Sequence, residues 1–289
     1  MATVVCHYGR LPSLRIGVDL FFVLSGFLIG GMLLDNRRAP GSCVAFYMRR
    51  AFRILPLYWL LLAIGMSQMT LPVWEYLAFG QNFGWLLAPE RSVLEVTWSL
   101  AVEEQFYLFL PLLVWLMPVR HLTIVLWGCI LAAPLWRWGL SSVTEAGLGM
   151  LPCRLDALMG GVLAAVWIRG GGRPWWPAAA VGIVLVDFAL SRGVSYSLVA
   201  LVSVVMILAS ARRELPLSLR PLAWLGLGAY SIYLFHFPVL AACHGRRWLA
   251  LPLTIALAWL TWRYIEAPLI GYARRRWRYG GGAAVPVVA

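Results

Sequence analysis

The sequence contains no lysine, and charged residues of all kinds make up only 12% of its 289 residues. A soluble domain usually contains about 25% charged residues, because a surface in contact with water needs them. The hydrophobic share is 62%, which leaves too few polar residues to cover such a surface. Lipid is therefore the expected solvent for much of this chain.

Histidine and cysteine are also scarce, with four and five residues respectively. They are scattered and include no CxxC pair, so we expect neither a metal site nor a disulfide framework. The sequence also lacks a Walker loop, a GxSxG elbow, an HExxH motif and a Rossmann fingerprint. These absences argue against the common hydrolase, metalloprotease and nucleotide-binding folds.

Long apolar stretches recur along the chain, and about 20 apolar residues are enough to cross a membrane as a helix. We predict an all-α, polytopic bundle of about ten helices, with residues 1–9 as the end of an incomplete first helix. Residues 1–271 would form the membrane domain, and residues 272–289 a basic and then flexible cytoplasmic tail. The other spans are expected at 16–34, 54–71, 98–117, 121–138, 151–168, 175–191, 195–211, 222–243 and 247–270.

The net charge of +12 comes from arginines concentrated in alternate connections between the apolar spans. Basic residues favour cytoplasmic loops, so we expect the 35–53 connection and the C-terminus on the cytoplasmic side of the inner membrane. Arg246 and Arg247 oppose the trend, because this topology places them outside. Membrane topology thus explains the charge, and we expect membrane lipid but no nucleic acid as a partner.

Charged groups within apolar spans are costly, so they mark a function or a paired structural role. His7 and Asp19 lie at neighbouring helix ends on the predicted outer side. A carboxylate beside an imidazole fixes its tautomer and raises its basicity, which suits a general base acting on a hydroxyl group. The alternative is a capping aspartate with an interfacial histidine.

The segment FYMRRAFRILPLY places Arg50 and Arg53 three residues apart, on one face at the start of a helix. We expect this pair at the cytoplasmic surface, where arginines bind phosphates through two parallel hydrogen bonds. The pair therefore suits a donor that carries phosphates, such as CoA. An anchor that contacts anionic lipid is the alternative.

The segment TWSLAVEEQFYLFLP carries Glu103 and Glu104 within an apolar span. Their side chains point about 100° apart on a helix, so they cannot both face lipid at low cost. Ser99 and Tyr107 lie one turn on either side of Glu103. This spacing indicates a polar stripe that faces a pocket.

Three further charges lie in later apolar spans. Arg154 and Asp156, in PCRLDALMGG, are expected to form a paired polar site. A salt bridge from Glu103 to Arg154 or Arg263 is the structural alternative to a pocket role for that glutamate. Arg263 lies three residues before Glu266 and can pair with it.

A late block, GAYSIYLFHFPVL, spaces Tyr230, Tyr233 and His236 by three residues, which gives one polar helix face. A lone histidine is usually structural, but one buried in a membrane favours a function.

Taken in order, these segments resemble the blocks of the acyltransferase 3 family, which consists of integral-membrane, mostly bacterial O-acyltransferases. The blocks are GVDLFFVLSGFLI, FYMRRAFRILPLYW, TWSLAVEEQFYLFLP, CRLDALMGG, GAYSIYLFHFPVL and WRYIEAPL, and they cover nearly the whole chain. The resemblance implies acyl-CoA as donor, expected to be acetyl-CoA. It also implies a hydroxyl acceptor on a cell-surface glycan, a lipid-linked sugar or a secondary metabolite.

The resemblance also implies roles for particular residues. His7 matches the family's essential histidine and Asp19 its paired aspartate, which suggests that His7 is the base and Asp19 orients it. Arg50 and Arg53 match an Arg-x-x-Arg element for the donor. The implied site is completed by two groups: the acidic pair Glu103 and Glu104, expected to be catalytic, and the pocket residues Ser99, Tyr107, Arg154, Tyr233 and His236.

Two other functions remain open at this point. A transporter or flippase of lipid-linked sugars would use the same buried polar residues as a path. An inactive, truncated homologue would need them only for structure.

Overall fold

The computed structural model describes residues 16–85, 93–141, 145–170, 182, 184–185, 187, 196–210 and 226–279. Across these residues every regular element is a helix. Six helices are long and apolar enough to cross a membrane, and two shorter apolar helices accompany them. The prediction of an all-α membrane bundle is therefore confirmed, whereas the count of ten helices is not.

The chain order of the helices follows the apolar pattern closely. Short 3-10 turns extend the ends of several of them, at 66–68, 145–149 and 151–154. The helices are α1 (Ile16–Asp35), α2 (Ser42–Gly65), α3 (Val73–Leu77), α4 (Gln81–Gly84), α5 (Thr97–Leu116), α6 (Val119–Ser141), α7 (Leu155–Gly170), α8 (Tyr196–Ser210), α9 (Ala229–Ala242), α10 (Arg247–Thr261) and α11 (Ala267–Arg276).

Apolar side chains cover both the inside and the outside of the bundle. The interior is packed with fully buried rings and branched chains such as Phe22, Phe106 and Leu110. Large apolar groups also face outward, among them Leu116, Ile124 and Trp248. An outer surface of this kind is stable only in contact with lipid, because in water it would be a large exposed apolar patch.

Helix α2 begins at Ser42, well before the span predicted at 54–71. Polar and basic residues in its first turns lowered the local hydropathy, so the apolar pattern alone placed the start too late. Arg50 lies eight residues after Ser42, which corresponds to about 12 Å along a helix. Arg50 and Arg53 therefore lie about two to three turns into α2 and not at the start of a helix, and both belong to a candidate membrane span. Their position at the cytoplasmic surface stays a prediction.

Helices α1 and α7 touch backbone to backbone. A Cβ atom at Gly26 would lie 2.0 Å from the carbonyl oxygen of Leu158, and one at Gly161 would lie 2.1 Å from that of Val23. Only glycine permits this approach, which is common where membrane helices pack. The contact fixes the start of α1 beside the start of α7.

Helix α10 continues into α11 through a π-helical segment, Trp262–Glu266. Pro268 follows in the first turn of α11, and its missing N–H cannot continue an α-helical bond pattern. Glu266 is turned inward and is 2% exposed, whereas Arg263 is exposed. Glu266 accepts a hydrogen bond from Ser231, so the predicted pairing of Arg263 with Glu266 is wrong.

The bundle has one end that is rich in arginine. Arg37 donates a hydrogen bond to the carbonyl of Met117, and Arg49 donates to that of Trp277 at 2.7 Å. Arg169 at the end of α7 pairs with Asp35 at the end of α1. We call the end that these contacts connect the arginine-rich end, and the opposite one the far end.

Candidate active site

A group of buried polar side chains lies where α1, α2 and α5 meet. Glu103 is 4% exposed and accepts a hydrogen bond of 2.7 Å from the hydroxyl of Tyr107. The Ser25 hydroxyl lies 2.5 Å from the Tyr107 oxygen, so Ser25 is the donor in that contact. We use the name carboxylate cluster for five side chains at this place: Arg50, Arg53, Glu103, Glu104 and Tyr107.

The two arginines of the carboxylate cluster keep their hydrogen-bond donors available. The Arg50 guanidinium lies over the Tyr107 ring, 4.7 Å from its centroid. Arg53 is exposed, yet it interacts electrostatically with the buried carboxylate of Glu103. Within the described parts of the chain, neither guanidinium forms an ion pair. The exposed guanidinium of Arg53 is therefore able to bind an anionic ligand.

Glu104 has a buried carboxyl oxygen, Oε1, with no hydrogen-bond partner among the described residues. The hydroxyl groups of Tyr58 and Tyr230 interact electrostatically with Glu104. Both donate elsewhere, Tyr58 to the carbonyl of Tyr76 and Tyr230 to that of Ile54, each at 2.8 Å. Buried polar groups are normally paired, so Glu104 retains capacity for a ligand.

Glu266 provides a second buried carboxylate near the carboxylate cluster. It accepts from the Ser231 hydroxyl, and the Thr261 hydroxyl lies 2.8 Å from Ser231. Arg53 interacts electrostatically with Glu266 as well as with Glu103. In the sequence, Glu266 was interpreted as a structural partner of Arg263. Its inward direction depends on the π-helical turn, which the sequence pattern did not predict.

Helices α5 and α9 are joined by the predicted pocket residues. The hydroxyls of Ser99 and Tyr233 share a short hydrogen bond, and Tyr233 also donates to the carbonyl of Val96 at 3.0 Å. His236 is fully buried, and its Nδ1 lies 2.5 Å from the carbonyl oxygen of Tyr233. Tyr233 therefore connects α9 to α5, whereas Tyr230 of the same helix donates to the carbonyl of Ile54 on α2.

At the far end, Arg154 and Asp19 form a buried ion pair. Arg154 Nη1 lies 2.9 Å from Asp19 Oδ1, and Arg154 Nε donates to the carbonyl of Leu148 at 2.9 Å. The predicted pairing of Arg154 with Asp156 is therefore wrong. The alternative salt bridge from Glu103 to Arg154 is wrong for the same reason.

Asp156 pairs with Arg137 instead, at 2.9 Å. Arg137 also pairs with Asp187 at 2.7 Å and donates to Ser197 Oγ at 2.7 Å. Ser197 in turn donates to Asp156 Oδ2 at 2.7 Å. All four side chains are at most 5% exposed. With Asp19 and Arg154, these four residues form what we call the ion-pair cluster: Asp19, Arg137, Arg154, Asp156, Asp187 and Ser197.

Two contacts connect the halves of the ion-pair cluster. Arg137 Nη1 donates to the carbonyl of Cys153 at 2.7 Å, which fixes the backbone immediately before Arg154. The Tyr196 ring lies below both guanidinium groups, 4.2 Å from Arg154 and 5.8 Å from Arg137. Arg137 thereby helps to position Arg154, and through it Asp19.

Arg137 and Asp187 were missed in the sequence, although a signal was present. Both lie inside predicted apolar spans, at 121–138 and 175–191, where a charge is costly. Arg137 was instead counted among the connections, because it lies next to a predicted helix end. The rule that selected Asp19 and Arg154 would have selected this pair as well.

His7 lies outside the described residues. Its contact with Asp19 and its role as a base therefore stay predictions. Asp19 itself is 3% exposed and is held by Arg154, which gives the predicted orienting carboxylate a fixed position.

Comparison with known proteins gives these residues a context. The family model described as an acyltransferase domain matches residues 4–264. The chain is 28% identical to the peptidoglycan O-acetyltransferase OatA of Listeria monocytogenes, over 88% of this chain and 51% of that protein. It is 27% identical to the putative peptidoglycan O-acetyltransferase YrhL of Bacillus subtilis, over 88% and 50%.

A more distant relative is the putative O-acetyltransferase SACOL0978 of Staphylococcus aureus, 24% identical over 93% of this chain and 55% of that protein. The chain thus spans about half the length of the curated relatives that it matches. No solved structure matches it.

Proposed function

The chain belongs to the acyltransferase family whose domain model covers residues 4–264, and on that premise we propose that it is a membrane O-acetyltransferase. The reaction would move an acetyl group from acetyl-CoA to a hydroxyl group of a cell-surface glycan. Membership of the family confirms the predictions of the acyltransferase 3 family and of an acyltransferase enzyme. The observation that carries the finer proposal is the pair of available guanidinium groups, Arg50 and Arg53, beside buried carboxylates.

In this proposal, Arg50 and Arg53 bind the phosphates of the donor, acetyl-CoA. Arginine binds phosphate through parallel N–H bonds, and both side chains belong to α2, which begins near the arginine-rich end. The pantetheine arm would then extend along α5, where the unpartnered Glu104 oxygen accepts a hydrogen bond from one of its amide N–H groups. Ser99, Tyr107 and Tyr233 would line the path of the arm.

In this proposal, His7 is the general base for acyl transfer. His7, oriented by Asp19, would remove the proton of the acceptor hydroxyl as its oxygen attacks the thioester carbonyl. The carbon–sulfur bond then breaks, and the proton passes from His7 to the departing CoA thiolate. Holding both substrates in one geometry supplies much of the acceleration, and the Arg154 contact would give Asp19 the fixed position this requires.

The separation of the two clusters supports transfer across the membrane. Asp19 is three residues from the start of α1 at the far end, whereas Arg50 and Arg53 lie on α2 toward the arginine-rich end. Basic residues favour the cytoplasmic side of membrane proteins, and from this rule we infer that the C-terminus faces the cytoplasm and the far end faces outside. Acetyl-CoA would enter from the cytoplasm, and the glycan would meet His7 on the outer side of the cell membrane.

The test is transfer of labelled acetyl from acetyl-CoA in membranes that contain the protein. We expect label in extractable glycan for the wild type and its loss in His7→Ala. His121→Ala is the matched control, because His121 is exposed at the start of α6 and should keep full transfer. Movement of a lipid-linked sugar without any acetyl transfer would contradict the proposal and favour the transporter instead.

A further inference from the structure

A cavity of about 480 Å³ opens between α9 and α10 at the far end of the bundle. Its walls are the apolar side chains of Val239, Leu249, Leu253 and Leu257. The volume falls within the range of about 300–1,000 Å³ that is usual for small-molecule sites. None of these residues belongs to the carboxylate cluster or to the ion-pair cluster, so the cavity has no part in the proposed transfer.

The turn between α9 and α10 brings polar groups to this cavity. His244 and Arg246 both line it, and both are exposed. His244 has a φ of 50° and Gly245 a φ of 74°. A residue with a side chain is uncommon in this left-handed region, and such strain is concentrated at functional sites.

Arg246 is unusual for two independent reasons. Together with its neighbour Arg247, it opposes the charge trend that the other arginine-rich connections follow. Its guanidinium also forms no ion pair in the part of the chain that the structure describes. An exposed, unpaired cation beside an apolar cavity is available to an anionic partner.

We propose that this cavity binds an anionic phospholipid, whose head group carries a net negative charge, in preference to a zwitterionic one, with its phosphate on Arg246 and one hydrocarbon chain between Leu249, Leu253 and Val239. The walls belong to apolar helices of the bundle, so they favour a hydrocarbon occupant. An anionic head on an apolar chain matches the cavity in both charge and polarity. A soluble anion would leave the apolar walls uncovered.

Native mass spectrometry of the purified, full chain tests this site. Samples are exchanged into detergent with phosphatidylglycerol or phosphatidylcholine of identical chains, and retained lipid is counted over a titration. We expect one phosphatidylglycerol to be retained selectively. Arg246→Gln should weaken its binding about tenfold, because charge-assisted hydrogen bonds to the phosphate are lost. Leu253→Trp, which fills the cavity, should also weaken lipid binding, because it displaces the hydrocarbon chain of the lipid.

Matched controls lie next to each changed residue. Arg247→Gln removes the neighbouring charge, and Leu251→Trp enlarges an exposed side chain of the same helix; neither residue lines the cavity. Both should retain the lipid like the wild type, and monodisperse elution shows that each variant is folded. Equal retention of the two lipids by the wild type would overturn the proposal. So would equal losses in the Arg246 and Arg247 variants. Because the readout is binding, it is independent of acetyl transfer.

Discussion

The two polar clusters of this bundle differ in how completely they are paired. In the ion-pair cluster, both arginines contact carboxylates at 2.7–2.9 Å. In the carboxylate cluster, the two arginines form no ion pair within the described residues, and one oxygen of Glu104 has no partner there. Both clusters combine arginines with carboxylates in the same membrane-spanning chain.

This difference separates structure from ligand binding. A buried charge that is fully paired can hold helices in place, because removing its partner would leave an uncompensated charge. A cation that stays available beside buried acids adds little to the fold, and its positive charge is ready for a phosphate. We therefore assign positioning to the ion-pair cluster and donor binding to the carboxylate cluster.

The largest effect is expected from Arg137→Gln. It leaves Asp156 and Asp187 buried without their cation, which should lower the free energy of unfolding by about 3–5 kcal/mol. Thermal unfolding of the purified protein in detergent measures this change. Arg120→Gln is the control, because Arg120 is exposed on the same helix and its loss should leave the unfolding temperature unchanged.

A smaller loss of stability is expected from Tyr107→Phe. The change removes the hydroxyl between Ser25 and Glu103 and leaves buried polar groups unsatisfied, at a cost of about 1–3 kcal/mol. The double variant Ser25→Ala, Tyr107→Phe should lose less than the sum of the single losses, because both changes act on one hydrogen-bonded chain. Strictly additive losses would show that the chain does not act as a unit.

Arg53→Gln should act on substrate binding and leave stability unchanged. Loss of one phosphate contact should raise the KM for acetyl-CoA about tenfold, with an unfolding temperature like that of the wild type. Initial rates of transfer measure the KM. Arg38→Gln provides the comparison, since Arg38 is exposed in the connection between α1 and α2. A fall in stability for Arg53→Gln would place Arg53 among the structural charges.

Glu104→Gln should also leave stability close to that of the wild type. No hydrogen bond to Oε1 is lost among the described residues, so the free energy of unfolding should stay within about 0.5 kcal/mol of the wild type. A matching experiment with Glu103→Gln sharpens the comparison, because Glu103 accepts from Tyr107. Glu103→Gln should destabilise the protein more than Glu104→Gln, although the two residues are neighbours in sequence.

The sequence predicted the burial of polar residues more accurately than it predicted their partners. The cost of a charge in an apolar span identified Asp19, Glu103 and Arg154, and all three are buried. Their partners could not be predicted, because Arg154 and Asp19 are 135 residues apart in the chain. Pairing at that distance depends on how α1 and α7 pack, and local spacing carries no information about it.

Local spacing was reliable only within one helix. The contact of Tyr107 with Glu103 follows directly from their separation of four residues. The same reasoning failed for Arg263 and Glu266, because both belong to a π-helical segment in which Glu266 is buried and Arg263 is exposed. Hydropathy likewise misplaced the start of α2, since basic residues occupy the first turns of a helix that continues into the membrane.

The most direct test of donor binding by the carboxylate cluster compares acetyl-CoA with acetyl-pantetheine, which carries the same thioester without phosphates. The measurement is the ratio of kcat/KM for the two donors, in the wild type and in the double variant Arg50→Gln, Arg53→Gln. We expect the wild type to prefer acetyl-CoA by about a hundredfold, if each arginine contributes about tenfold, and the double variant to treat both donors nearly alike. An unchanged preference in the double variant would contradict the account, because the phosphates would then be recognised elsewhere.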